Sequence, residues 1–140
     1  MNSVVRTMFL SISLLFGLLS FAYAEDEAAA SPKAQYHALK PSFVANFGES
    51  DEKRLKFIKA DVSVRAYNGE AISAVMEHDA IVRHQIVMAL SSQTEESLAS
   101  TEGQENLRLS LLEKVKAVLK EETGKEHIDD LLFTSFVVQR

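Results

Sequence analysis

Arg54-Leu-Lys-Phe-Ile-Lys-Ala-Asp-Val-Ser-Val-Arg-Ala66 alternates apolar and polar residues and gives way, at Asn68-Gly69, to a stretch with helical spacing. Successive side chains of a strand point to opposite sides, so Ile58, Ala60, Val62 and Val64 share one face of a strand. Leu55 and Phe57 have the other parity, which predicts a bulge or cover on both faces at that end. Asn68-Gly69 reads as a turn pair, of the kind that also closes hairpins. From Glu70 to Ser92 the period changes: Ile72, Val75 and Met76 hold i, i+3, i+4 spacing, and Val82, Ile86, Ala89 and Leu90 repeat it after a break at Asp79. One long helix or two consecutive helices both fit.

Upstream, Pro41 closes a lead-in segment, and Phe43, Ala45 and Phe47 fall on one face of a short strand that ends in a turn over Gly48 to Asp51. Downstream, Thr94 is an expected N-cap for a short turn through Glu95 and Glu96. Thr101-Glu-Gly-Gln104 has the form of a capping box opening a helix to about Glu122. That helix buries Leu107, Leu111, Val115, Val118 and Leu119 and turns Glu113, Lys114, Lys116 and Lys120 to solvent, with Thr123-Gly124 as its stop. The last segment, Ile128 to Gln139, puts Leu131, Phe133 and Val137 on one face and Leu132, Phe136 and Val138 on the other. Both faces ask for cover, which predicts a central strand or one that meets another subunit. The expected fold is α/β (α+β), a small sheet of three or four strands with helices packed on one face.

A chain of 140 residues, 46% hydrophobic and 25% charged, has room for one ordinary folded domain. Its beginning is different in kind. Residues 1–24 carry a single charged side chain, Arg6, ahead of an uncharged run from Met8 to Ala24. This is an export segment, with the remainder translocated. Ala22-Tyr23-Ala24 fits a signal-peptidase site, and the run is also just long enough for a membrane anchor, so cleaved signal and retained anchor both stand. Residues 25–34 are polar and small, a flexible tether. Residues 35–140 form the domain, expected in the periplasm of a two-membrane bacterium.

Composition excludes several chemistries. A net charge of −5 is wrong for a protein that tracks nucleic-acid phosphates. The absence of cysteine excludes disulfides, thiolate metal sites and a thiol nucleophile. His37, His78, His84 and His127 form no i, i+4 pair for a metal, and Glu77-His78-Asp79 reads as a polar helix end. There is no G-x-S-x-G elbow and no phosphate-cradling glycine loop. The acidic pairs Asp51-Glu52, Glu95-Glu96, Glu121-Glu122 and Asp129-Asp130 are adjacent residues at element ends, whereas acid/base carboxylates converge from different elements. The reading is of a protein that is not an enzyme, with no cofactor, no metal and no small-molecule substrate.

The order of blocks is nevertheless distinctive: an apolar N-terminus, a tether, Tyr36 with Pro41-Ser-Phe-Val-Ala-Asn46, and Ile81-Val-Arg83. Leu90-Ser-Ser-Gln-Thr94, Glu102-Gly103, Leu107-Arg108 and Phe133-Thr-Ser-Phe-Val-Val-Gln139 follow. Over Tyr36 to Gln139 the chain resembles the flagellar basal-body-associated FliL family. The resemblance implies a domain similar to the stomatin and prohibitin type behind an N-terminal apolar helix, at the bacterial inner membrane. It also implies homo-oligomers that partner the flagellar stator and basal-body proteins and support torque-driven swimming and swarming. Two features depart from the family's usual pattern. Ala80 stands where a proline usually precedes the Ile-x-Arg block, and the apolar segment is short, where relatives carry a longer span and a basic cytoplasmic tail.

Four residues are candidates for an oligomer or partner interface. Arg83 and Arg108 sit among apolar neighbours and read either as snorkelling surface residues or as forks onto carboxylates across a subunit boundary. Phe136 and Val138 read as core or as contact surface. The alternative to a motor accessory is a periplasmic ligand-binding or enzymatic domain with a pocket between sheet and helices.

Overall fold

The computed structural model describes residues 33–48 and 55–140, all within the compact unit Pro32–Arg140. The expected export segment, most of the tether and most of the Gly48 to Asp51 turn lie outside the described residues. Among the described residues, three strands and four helices follow one another as β1 (Gln35–Asn46), β2 (Phe57–Ala66), α1 (Gly69–Glu77), α2 (Asp79–Ser91), α3 (Glu95–Leu98), α4 (Thr101–Thr123) and β3 (Ile128–Gln139). The sheet is antiparallel with order β1-β2-β3, so β2 is the central strand. The fold is α+β.

β2 behaves as its alternation dictates: Ile58, Ala60, Val62, Val64 and Ala66 are all at most 1% exposed. They pack with Val75 of α1, Val82, Ile86 and Leu90 of α2, and the α4 stripe Leu107, Leu111, Val115, Val118 and Leu119 in one core. Each fully buried aliphatic side chain contributes roughly 1.5–3 kcal/mol of transfer free energy. Phe43 and Ala45 of β1, and Phe47 directly after it, join this core, as their parity predicts.

The edge strands depart from the sequence reading, and for one reason. β1 does not begin after Pro41 but runs through it; Leu39 pairs with Val62 and Phe43 with Ala60, so Lys40, Pro41 and Ser42 stand opposite Asp61 alone. A proline lacks the ladder donor and is tolerated at such an irregularity on an edge. β3 is an edge strand, not a central one. Its register shifts twice: Ala66 pairs with Ile128 but Arg65 with Asp130, and Val62 pairs with Phe133 but Asp61 with Ser135. Each shift leaves one extra residue, Asp129 and Thr134, and reverses the parity that follows it. Ile128, Leu131, Phe133, Phe136 and Val138 therefore line up opposite Ala66, Val64, Val62, Ala60 and Ile58, on the helix-covered face. Five of the apolar residues that a regular strand would divide between two faces are gathered onto one, while Leu132 and Val137 stay on the other.

Local signals fix the helix ends. Asn68 caps α1, its side-chain Oδ1 accepting from the Ala71 N–H at 2.8 Å, so Asn68-Gly69 starts a helix instead of closing a hairpin. α1 and α2 are two helices meeting at His78, one residue before the expected break. Thr94 and Ser97 form a reciprocal capping box on α3. The cap of α4 is Ser100, one residue earlier than expected: its hydroxyl accepts from the Gly103 N–H at 3.0 Å, and the Gln104 amide reaches the Leu98 carbonyl instead. Gly103 must be glycine, because a Cβ there would lie 1.8 Å from the Ser97 carbonyl oxygen. Gly124 ends α4 in the left-handed region at φ 81°, where glycine carries no steric penalty.

Candidate interaction surface

The four described helices occupy one face of the sheet, and among the described residues no helix covers the other, open face. Register places its side chains in rows. Tyr36, Arg65 and Asp130 lie across one row, Ala38, Ser63 and Leu132 across the next, and Val44, Lys59 and Val137 further along, with Asp61 and Ser135 between them. Tyr36 is 61% exposed, Val44 59% and Val137 52%. This surface mixes apolar and charged groups, the composition of a recognition face more than of a core.

At its centre the irregularities of β1 and β3 flank the same residue. Lys40 to Ser42 bow out opposite Asp61 on one side, and Thr134 is the extra residue on the other. The result is a depression of about 390 Å³ lined by Ala38, Leu39, Lys40, Pro41, Ser42, Asp61, Val62 and Thr134. The Ser42 hydroxyl donates to Asp61 Oδ1, and the Thr134 hydroxyl donates to the Asp61 carbonyl at 3.3 Å. A second concavity, about 250 Å³, lies between the start of α1 and the loop before β3, with Tyr67, Asn68, Glu70 and His127 in its wall. His127 adopts φ 60°, and its Nε2 stands 2.8 Å from the Thr123 hydroxyl.

The other carboxylates that β3 brings to the sheet are matched within the chain. Arg65 Nε donates to Asp129 at 2.7 Å; Asp129 first, and the Tyr36 hydroxyl behind it, raise the guanidinium pKa above its already high ordinary value. Lys116 is likewise raised, chiefly by its hydrogen bond to Glu126 at 3.1 Å.

The four residues expected at an interface fall into two pairs. Arg108 forks onto Glu105 at 2.8 and 2.7 Å and extends Nη1 to Asp130 at 2.6 Å and to the Leu131 carbonyl at 2.8 Å. These contacts tie α4 to β3, raise the arginine's pKa, Glu105 foremost, and hold the Glu105 carboxyl below the usual glutamate range. Arg83 Nη2 donates to the Pro41 carbonyl at 2.8 Å, and its guanidinium lies 4.2 Å from the centre of the Phe43 ring, a cation–π contact. Its Nη1 is buried without an acceptor among the described residues. Arg83 thus ties α2 to the irregular part of β1. Phe136 and Val138 are partly buried and pack against the core, Phe136 with its ring centre 4.7 Å from that of Phe133.

Sequence reasoning named both arginines but not their partners: Glu105 is three residues from Arg108, but Asp130 is 22 residues from it and Pro41 is 42 residues from Arg83. It passed over Asp61 altogether, because a charge at an outward strand position ordinarily means a solvated face. Among the described residues no group of three His, Cys, Asp or Glu is close enough to hold a metal, and no helix is long and apolar enough to cross a membrane.

Comparison with known proteins supplies a family. The family model described as flagellar basal body-associated protein FliL matches residues 36–139. The flagellar protein FliL of Aquifex aeolicus (strain VF5) is 24% identical over 103 residues, which cover 74% of this chain. The match spans 60% of that relative's length.

Proposed function

The chain belongs to the family of flagellar basal body-associated FliL proteins, and from that premise we propose that it assembles beside the torque-generating stator and supports torque-driven swimming and swarming. The observation that carries the reading is the extent of the family match, which takes in all four helices and, but for Gln35, all three strands. A sheet with one face left open is the second support: it gives a small domain a broad surface for protein contacts without weakening its core.

In this reading the domain lies in the periplasm at the inner membrane. Met8 to Ala24 holds it there if retained, and copies of the chain stand side by side. A shared anchor plane raises the effective concentration of weakly interacting domains, so contacts too weak to hold in solution suffice. Arg83, Arg108, Phe136 and Val138 enter such contacts through their exposed margins, since their main partners lie within the chain. No reaction is proposed; the domain acts by contact.

Deletion of the gene tests this. Filaments are expected to assemble while swimming speed at high viscous load and swarming both fall. Wild-type torque at every load in the deletion strain would exclude the motor role.

A further inference from the structure

Pro41 serves both sides of the sheet: it lines the depression in the open face, while its carbonyl accepts a hydrogen bond from Arg83 of α2. Little else fixes the backbone there. Lys40, Pro41 and Ser42 stand opposite Asp61 alone, so the β2 ladder cannot pair all three, and proline brings no N–H of its own. Among the described residues two side-chain hydrogen bonds reach this segment, one from Ser42 to Asp61 and one from Arg83 Nη2 to Pro41 at 2.8 Å. The guanidinium is itself held. Its Cζ lies 4.2 Å from the centre of the Phe43 ring, and Phe43 is 1% exposed, so the charge rests against a group that the core keeps in place. Nη1 is buried without an acceptor among the described residues, a cost that an arginine free to swing into water would avoid. At its other end the side chain starts from α2, whose Val82, Ile86 and Leu90 are fully buried. A run of fixed groups therefore connects the core of α2, through Arg83, to the wall of the depression.

We propose that Arg83 is a positioning residue: from the helical layer it pre-organises the bowed segment 40–42, and with it the shape of the depression on the open face. A surface ordered in advance loses less conformational entropy on contact than one that its partner must first fix. Neither of the other ties can replace Arg83. The Ser42 hydroxyl holds only the end of the bow, and the Pro41 carbonyl has no other side-chain donor among the described residues. The inference rests on the assembly reading only for the use made of this surface; the positioning itself rests on geometry within the chain.

The test is 15N relaxation on the full-length chain held in detergent micelles. In the wild type the amides of Lys40 and Ser42 are expected to be as ordered as those of Val64 and Leu131 in the regular ladder, with order parameters of about 0.85. Arg83→Met keeps an apolar stem but removes the hydrogen bond and the charge. It should lower the Lys40 and Ser42 values below about 0.6 and leave Val64 and Leu131 unchanged. Arg83→Lys should give intermediate values, because an ammonium can reach the carbonyl but lacks the planar fork that also lies against Phe43. Ile86→Val, which loses packing on the same helix, should leave both amides at their wild-type order. Three results would overturn the proposal: Lys40 and Ser42 already mobile in the wild type, equal loosening by Ile86→Val, or no loosening in Arg83→Met. Should Arg83→Met not fold, Arg83→Lys carries the last comparison. The two readings fail separately. A deletion strain with normal motility removes the motor role and leaves the order parameters untouched; a segment indifferent to Arg83 removes the positioning role and leaves the motor role standing.

Discussion

The two faces of the same strand make opposite use of one alternating sequence. Along β2, Ile58, Ala60, Val62, Val64 and Ala66 are sealed beneath the helices, while Lys59, Asp61, Ser63 and Arg65 point the other way into a surface rimmed by exposed Val44 and Val137. The covered face holds the buried apolar area and hence most of the stability. The open face holds a minor part of it and is free to carry recognition chemistry. Both edge strands contribute to this separation, because each is interrupted opposite Asp61. Interrupted edges are poor templates for pairing with another strand, so a partner is offered the face in preference to the edge.

That contrast can be broken most sharply from the covered side. Leu111→Ala, in the fully buried stripe of α4, is expected to cost about 2–5 kcal/mol in urea unfolding, through lost transfer energy and a residual cavity. A loss under about 1 kcal/mol would mean that the helical layer does not carry the fold.

At the rim between the faces, Arg108→Ala should cost about 1–3 kcal/mol, because it strands hydrogen-bonded carboxylates at the α4–β3 junction. It should also change the response to acid. Glu105 is held below the usual glutamate range by Arg108, so the unfolded chain takes up its proton more readily than the folded one. Its stabilising contribution is complete above the ordinary glutamate pKa and fades as pH falls from that value to the lowered one. Removing Arg108 should flatten this part of the acid limb in a stability–pH profile. An unchanged profile would show that the pair is not formed in solution.

The smallest effect on stability belongs to the open face. Val137→Ser should shift the unfolding free energy by no more than about 0.5 kcal/mol, since the side chain is already half in water. The same substitution should reduce motility, and a variant both stable and fully motile would argue that this part of the face meets nothing.

Helix positions were legible because their signals are local. The α4 stripe, the Thr94 cap and the Gly124 stop need only spacing and residue type within a turn or two. The cap of α4 was misplaced by one residue for the same reason: Ser100 and Thr101 are both good caps, and the choice falls to how Gly103 fits against the Ser97 backbone. β3 was harder. Its apolar residues looked evenly two-faced because parity counted along a sequence assumes a regular ladder, and the two extra residues that bring all but Leu132 and Val137 onto one face are visible only in the pairing with β2. The candidate surface was less legible still. Arg83 and Arg108 stood out as arginines among apolar residues, but Asp61 looked like any outward strand charge.

By itself, the sequence determined which residues must leave water and at what period, and with that a strand, a helical run and a final strand, together with the family resemblance. Those are properties of short windows, where side-chain direction follows from backbone geometry. Tertiary structure alone decided that β2 is central, that most apolar residues of β3 are gathered onto one face, that both arginines meet groups far along the chain, and that among the described residues no lysine or arginine pairs with Asp61. Pairing between distant segments sets these, because register, bulges and charge partners depend on which backbones come together and at what offset.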